Sequence, residues 1–409
     1  MNKLFPKLGL LSIVLLLSSC KTDIIQQNFE FAEQQIKYAL QLVDSIHQND
    51  PRSTSEKNKN PLVSPRTVDE KGHLKMVRSR DWTSGFFPGE LWYMYEYTRD
   101  IEWKNQAETF TASLEKEKNN KGTHDLGFII YNSFGNGLRL TGNDSYSAII
   151  LDAAYSLASR YKPNAGIIRS WDHNRDKWQC PVIIDNMMNL DLLFWAFKES
   201  KDSTFYHIAV NHADNTLKNH FRPDYSTYHV VDYDTITGDV INRHTHQGYA
   251  HESTWSRGQA WALYGYTVMY RETGDRDYLI QADRIANYIF THPNLPDDLI
   301  PYWDFNAPEI PNEPRDVSAA TVTASALYEL SLYSKENKEQ YNAWANSILK
   351  NLTESYRANP GADSGFLLLH STGSKAANSE VDVPLVYADY FFLEALIRKH
   401  KLENNHPLF

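Results

Sequence analysis

The 409-residue sequence predicts an all-α fold, an (α/α)6 barrel in which six outer and six inner helices alternate along the chain. Three observations point there. A one-sided, charge-speckled helical segment is followed by one that is apolar nearly all round, and the pair recurs six times. One-sided helices belong on a surface and all-round apolar ones inside. Turn signals separate the units, and strand-like alternation is scarce outside short stretches such as "YHVVDYD" from Tyr228.

The outer candidates span roughly 25–47, 103–118, 144–161, 204–220, 276–292 and 339–357, with ends placed to about three residues. Each leads into an inner candidate. These begin near "SGFFPGELWYMYEYT" at Ser84, "LGFIIYNSFGNGLRL" at Leu126, "NMMNLDLLFWAFKES" at Asn186, "SRGQAWALYGYTVMYRE" at Ser256, "AATVTASALYELSLYS" at Ala319 and "PLVYADYFFLEALIRKH" at Pro384. "LTGNDSY" from Leu140 and "RETGDRDY" from Arg271 each close an inner helix with Gly and launch the next outer one with Asp. The chain is long for a single domain, but closed barrels run to such lengths, so 20–409 is read as one catalytic barrel.

Residues 1–19 have a basic start at Lys3 and Lys7, an apolar run and small residues before Cys20, the layout of a secretory signal. Leu17-Ser18-Ser19-Cys20 resembles a bacterial lipobox, which implies a lipid on Cys20 and an exported protein anchored to a membrane, in the periplasm or on the outer membrane. The apolar run is short for a bilayer span. Removing two lysines and no acid takes the formal charge from −10 to −12. Such a chain is a poor partner for nucleic acid. With Cys20 lipidated, Cys180 is the one remaining possible thiol, which excludes an internal disulfide and a cysteine metal cluster. With no base paired to it in the sequence, it reads as apolar filler.

Because every inner helix runs the same way, their N-termini share one rim, and the loops entering them carry the unusual residues. These are "RSRDWTS" from Arg78, "NKGTHD" from Asn120, "SWDHNRDKWQCPVIID" from Ser170 and "VINRHTHQGYAHESTW" from Val240. Asp125 and Asp185 each stand where an inner helix begins. Either alone reads as a helix cap. Together on adjacent helices they form a pair, since one ionised carboxylate raises its neighbour's proton affinity. A helix N-terminus lowers a carboxylate's pKa, so that neighbouring charge is expected to be what keeps one Asp protonated near neutrality.

From "DWTSGFFPGELW" at Asp81 through "THDLGF", "IIDNMMNLDLL" and "HESTWSRGQAWALYG" to "VDVPLVYADYFFLEAL" at Val381, the chain resembles the unsaturated glucuronyl hydrolases of glycoside hydrolase family 88. The resemblance implies the same (α/α)6 barrel. It implies Asp185 as general acid/base and Asp125 as its essential partner. It also implies a substrate with a C4=C5 double bond at its non-reducing end, left there by a polysaccharide lyase. Asp185 would protonate C4 and then help water add to C5, unlike the usual scheme in which an acid protonates the glycosidic oxygen.

Sugar contacts implied by the resemblance are Gln247, His229, and the aromatic faces of Trp82, Trp171 and Trp261. Arg257 is expected to grip the substrate carboxylate. Each has an ordinary structural reading too: Arg257 pairing with an acid, His229 as a loop histidine, and the Trp residues as core. Ser371, Ser374 and Lys375 in "LHSTGSKAANSE", with Arg243, form a candidate sulfate pocket for a glycosaminoglycan disaccharide, against a solvated lysine. His244, His246 and His251 invite a zinc reading, but their spacing fits no standard zinc pattern. No metal or cofactor is expected. The alternatives are an unsaturated galacturonyl hydrolase acting on pectin fragments and a non-catalytic glycan-binding lipoprotein.

Overall fold

A computed structural model describes residues 23–49 and 61–409. The expected signal segment, residues 1–19, and Cys20 lie outside the described residues. Outer helices are α1 (Ile24–Asn49), α3 (Ile101–Ala112), α5 (Ser145–Ala158), α7 (Ser203–Asn219), α9 (Arg276–Thr291) and α11 (Lys338–Asn351). Inner helices are α2 (Phe86–Thr98), α4 (Asn136–Thr141), α6 (Leu190–Ser200), α8 (Ser256–Thr273), α10 (Val317–Leu330) and α12 (Val386–Glu403). The inner helices pack in sequence order and α12 returns to α2, closing the ring. The expected (α/α)6 barrel is therefore the fold.

Patterning explains the two layers. On α9 the buried residues Tyr278, Ala282, Ile285, Ala286 and Ile289 make one stripe, whereas on α10 every residue is buried. Asp100, Asp202 and Asp275 start α3, α7 and α9, each accepting at 2.9 Å from the backbone N–H two residues on. Gly142 and Gly274, at φ +65° and +72°, end α4 and α8 in the left-handed region that glycine adopts without a Cβ clash.

Two inner entrances depart from α geometry. Gly127–Gly135 is a π-helix feeding α4, and Ile184–Asn189 is a 3-10 turn feeding α6. The two meet closely: Asn189 Oδ1 accepts from the Phe128 N–H at 3.1 Å, and a Cβ on Gly127 would sit 2.6 Å from that oxygen. Departures of this kind concentrate at functional sites, and the two predicted aspartates stand at these two entrances.

Small sheets furnish the rim. Strands β1 (Leu62–Val68) and β2 (Leu74–Arg78) form a hairpin, and β3 (Tyr161–Lys162) pairs with β4 (Ile167–Ile168). The antiparallel sheet β5 (Pro181–Ile183), β6 (Val230–Tyr233) and β7 (Val240–His244) has β6 in the middle. The "YHVVDYD" stretch is the core of β6. The β1–β2 hairpin went unanticipated because its alternation is broken by Pro65 and by two register irregularities. Cys180 is buried at the start of β5, and burial raises its thiol to about 11.

Candidate active site

Asp185 lies in the first turn of the 3-10 entrance to α6 and is 9% exposed. Its carboxyl does not cap the helix: Oδ2 is buried with no hydrogen-bond partner. Burial in this low-polarity pocket pushes its pKa up to about 7; Arg257 opposes the rise and Asp125 adds to it. The pair is thus coupled as expected, but desolvation is the larger cause and the neighbouring charge the smaller. Asp125 is more open. Its Oδ2 accepts from Thr123 Oγ1 at 2.8 Å, its Oδ1 lies 3.3 Å from His124 Nε2, and its carbonyl accepts from Ile129 N–H to start the π-helix.

His229, just before β6, faces Asp185. Its Nδ1 accepts the backbone N–H groups of His246 and Gln247, both at 3.1 Å, which assigns the proton to Nε2. That Nε2–H is 3.8 Å from Asp185 Oδ2, and burial holds the ring's pKa well below its ordinary value. Trp261, on the second turn of α8, is fully buried between Phe128 and Phe391. It is therefore no stacking face for a sugar. Its indole N–H has no other partner and lies close enough to Asp185 to favour the ionised carboxylate.

Arg257, in the first turn of α8, is also fully buried and already engaged. Nη1 donates to Asp316 Oδ2 at 2.5 Å and to the Thr372 carbonyl at 2.6 Å, and Nη2 donates to the Gly373 carbonyl at 2.6 Å. The expectation that it grips a substrate carboxylate is corrected, and the acid-paired reading holds. From this position it acts on Asp185 through its charge. Gln247 Nε2 donates to the same Gly373 carbonyl at 3.0 Å, so both residues hold the 369–383 loop.

A cavity of about 590 Å3 opens beside Asp125, lined by that residue with Trp82, Trp171, Arg78, Arg80 and His173 among others. Trp82, half-buried, rests on Tyr387 with ring centroids 4.9 Å apart and presents its remaining surface to this cavity. Trp171 is likewise half-buried, flanked by His173, Trp178 and His246. Both expected stacking residues thus line the cavity.

Two residues beside the pair were missed. His124 is buried with neither ring nitrogen in a well-formed hydrogen bond, its Nε2 facing Asp125 Oδ1 at 3.3 Å, and Tyr387 carries a buried hydroxyl without a partner, 5.3 Å from its ring to the Arg257 guanidinium. Both stood inside quoted motifs, one residue before Asp125 and within the first turn of α12. A cluster of buried, unpartnered polar atoms (Asp185, His229, His124, Trp261 and Tyr387) is what a polar ligand would satisfy.

The anticipated sulfate pocket is not assembled. Arg243 donates from Nε to the Asn219 carbonyl at 2.8 Å, fastening the end of α7. Lys375 is ion-paired with the buried Glu313. Ser371 is fully buried and bridges Val383 through its backbone. Ser374 pairs by backbone with Ser379. Of the rim histidines, His244 Nδ1 accepts from Trp178 Nε1 and its ring stacks on His251, while His246 lies against Trp171. Among the described residues no three His, Cys, Asp or Glu side chains converge as a metal would need.

A buried acid near neutrality, a second carboxylate and an aromatic-walled cleft on an (α/α)6 barrel define a glycoside hydrolase. No protein-family model matches the chain. It is, however, 45% identical over 407 residues to an unsaturated glucuronyl hydrolase of Formosa agariphila, covering 98% of this chain and 99% of that one. It is 34% identical to an unsaturated chondroitin disaccharide hydrolase of Streptococcus agalactiae, covering 80% and 83%. A solved unsaturated glucuronyl hydrolase specific for heparin superposes with TM-score 0.86 at 43% identity, covering 93% of this chain and 98% of that chain. The chain belongs to the unsaturated glucuronyl hydrolases.

Proposed function

We propose that the protein removes the non-reducing-end Δ4,5-unsaturated glucuronic acid from lyase-generated glycosaminoglycan oligosaccharides by hydrating the C4=C5 double bond. The observation that carries this is the buried Asp185 carboxyl, poised near neutrality beside Asp125. A protonated Asp185 delivers its proton to C4, leaving positive charge at C5 shared with the ring oxygen. Water then adds at C5 and returns a proton to Asp185. The C5 hemiketal opens to a ketone, and the resulting hemiacetal at C1 collapses to release the next sugar. One water is consumed in total. Asp125 helps keep the proton on Asp185, His229 directs its Nε2–H at the same carboxyl, and Trp82 offers a face to the flat unsaturated ring.

The glycosaminoglycan class is supported by the relatives. One similar structure, of an aspartate-to-asparagine variant from Streptococcus agalactiae, holds dGlcA-GalNAc6S, with TM-score 0.74 at 29% identity, covering 92% of this chain and 91% of that chain. The test follows the ultraviolet absorbance of the double bond in lyase-made disaccharides. It is expected to vanish with wild type and persist with Asp185→Asn. Normal turnover by that variant would overturn the assignment.

We also propose that the signal segment is removed and Cys20 lipidated, anchoring an exported enzyme. The order of basic, apolar and small residues before Cys20 supports this. Radiolabelled palmitate is expected to enter the wild-type protein and not Cys20→Ser; equal labelling of both would reject the anchor.

A further inference from the structure

We propose that Arg78 and Arg80 form the anion subsite of the cleft, taking a sulfate ester on the sugar beyond the scissile bond. This rests on the reaction proposed above.

The backbone sets both side chains on one side. β2 ends at Arg78, and Ser79 turns inward, its Oγ donating to Glu117 Oε1 at 2.5 Å while its carbonyl accepts from Ser84 Oγ at 2.7 Å. A turn follows, closed by the Asp81 N–H donating to the Arg78 carbonyl at 3.0 Å; with Ser79 fully buried, Arg78 and Arg80 are both exposed, and both line the cavity that holds Asp125, Trp82 and Trp171.

Many of the chain's other arginines are already engaged. Arg66, Arg139, Arg160, Arg257, Arg271, Arg315 and Arg398 all pair with carboxylates. Neither Arg78 nor Arg80 has a side-chain hydrogen bond or ion pair among the described residues. The acid between them and Trp82 is unavailable, because both oxygens of Asp81 accept from Arg66 Nη1, at 3.0 and 2.9 Å. In a protein of formal charge −10, two unpaired guanidinium groups beside the reaction centre mark where an anion is welcome. The flat, forked guanidinium suits an oxyanion through paired N–H···O bonds. The ligand carries two candidate anions: its own C5 carboxylate, and a sulfate on the following sugar. Asp185 is not among the residues lining this cavity, whereas both arginines line it, with His173. The proposal therefore sets them past the unsaturated ring, on the side of the leaving sugar.

The experiment compares a sulfated and an unsulfated unsaturated disaccharide of identical linkage, with wild type, Arg78→Ala, Arg80→Ala and the double variant. The double variant is expected to lose about tenfold or more in kcat/KM on the sulfated disaccharide, through KM, and to keep wild-type values on the unsulfated one. Added salt is expected to erode the wild-type preference and leave the double variant indifferent. Equal losses on both disaccharides would overturn the proposal and point to the C5 carboxylate, and an unchanged preference would overturn it too. Direct binding of both disaccharides to Asp185→Asn, with and without the arginine substitutions, reads the subsite without turnover. If wild type consumes neither disaccharide, the reaction fails. The subsite then still stands or falls by whether the arginines are needed to bind the sulfated one.

Discussion

Asp185 illustrates how a single burial decides chemistry. An exposed aspartate is ionised at neutrality and has no proton to give, whereas here loss of hydration moves the midpoint to about 7. The acid form is needed for the first step, so kcat/KM is expected to fall as pH rises through about 7, which a pH–rate profile checks. Stability follows the same shift. Between pH 4 and 7 the folded protein holds a proton that the unfolded chain has released, so this residue's contribution worsens as pH rises and levels off above the folded midpoint. Asp185→Asn removes that burden. The variant is expected to be inactive yet more stable than wild type by on the order of a few kcal/mol at pH 8, with the gain shrinking toward pH 4. Denaturant melts at both pH values check it; a variant less stable than wild type at pH 8 contradicts the burial argument.

At the scale of elements, the site depends on close approaches and on tethers. Gly265 of α8 passes Met187 of the α6 entrance so tightly that a Cβ would lie 2.5 Å from the methionine Cβ. Gly265→Val is expected to lower stability by about 1–3 kcal/mol and to reduce activity, because the turn it displaces carries Asp185. Circular dichroism melts and the absorbance assay report the two effects. Arg66 on β1 is a tether of the other kind. It grips Asp81, next to the Trp82 platform, and Glu380 of the 369–383 loop at 2.6 and 2.8 Å. Arg66→Ala is expected to raise KM more than it lowers kcat, as Trp82 loses its fixed pose. A fall in kcat alone, with KM unchanged, would reject that role.

At the scale of the molecule, the barrel was legible because helix periodicity is long and redundant. The outer stripe of α9 and the fully buried α10 announce their layers, and the pairs fall near their expected positions, the second inner segment opening as the π-helix Gly127–Gly135 before α4 begins at Asn136. The rim was less legible. β1–β2 is short and interrupted by Pro65, and it carries Arg66 and Arg78, with Arg80 just beyond its end, which no periodic signal marks. Within the site, Asp125, Trp82 and Trp171 share one cavity and His229 faces Asp185, and each of the five stands in a motif at an element's edge, where a sequence can mark it. Arg257, Trp261, Lys375 and Arg243 were misjudged in role because pairing across distant segments, such as Arg257 with Asp316 or Lys375 with Glu313, leaves no trace in local sequence. The central claim is that an alkene carbon, and not the bridging oxygen, receives the proton of Asp185. Its most direct test is turnover of an unsaturated disaccharide beside its saturated counterpart of the same linkage, with product release followed chromatographically. The account predicts consumption of the unsaturated sugar alone. Cleavage of the saturated one at a comparable rate would contradict it.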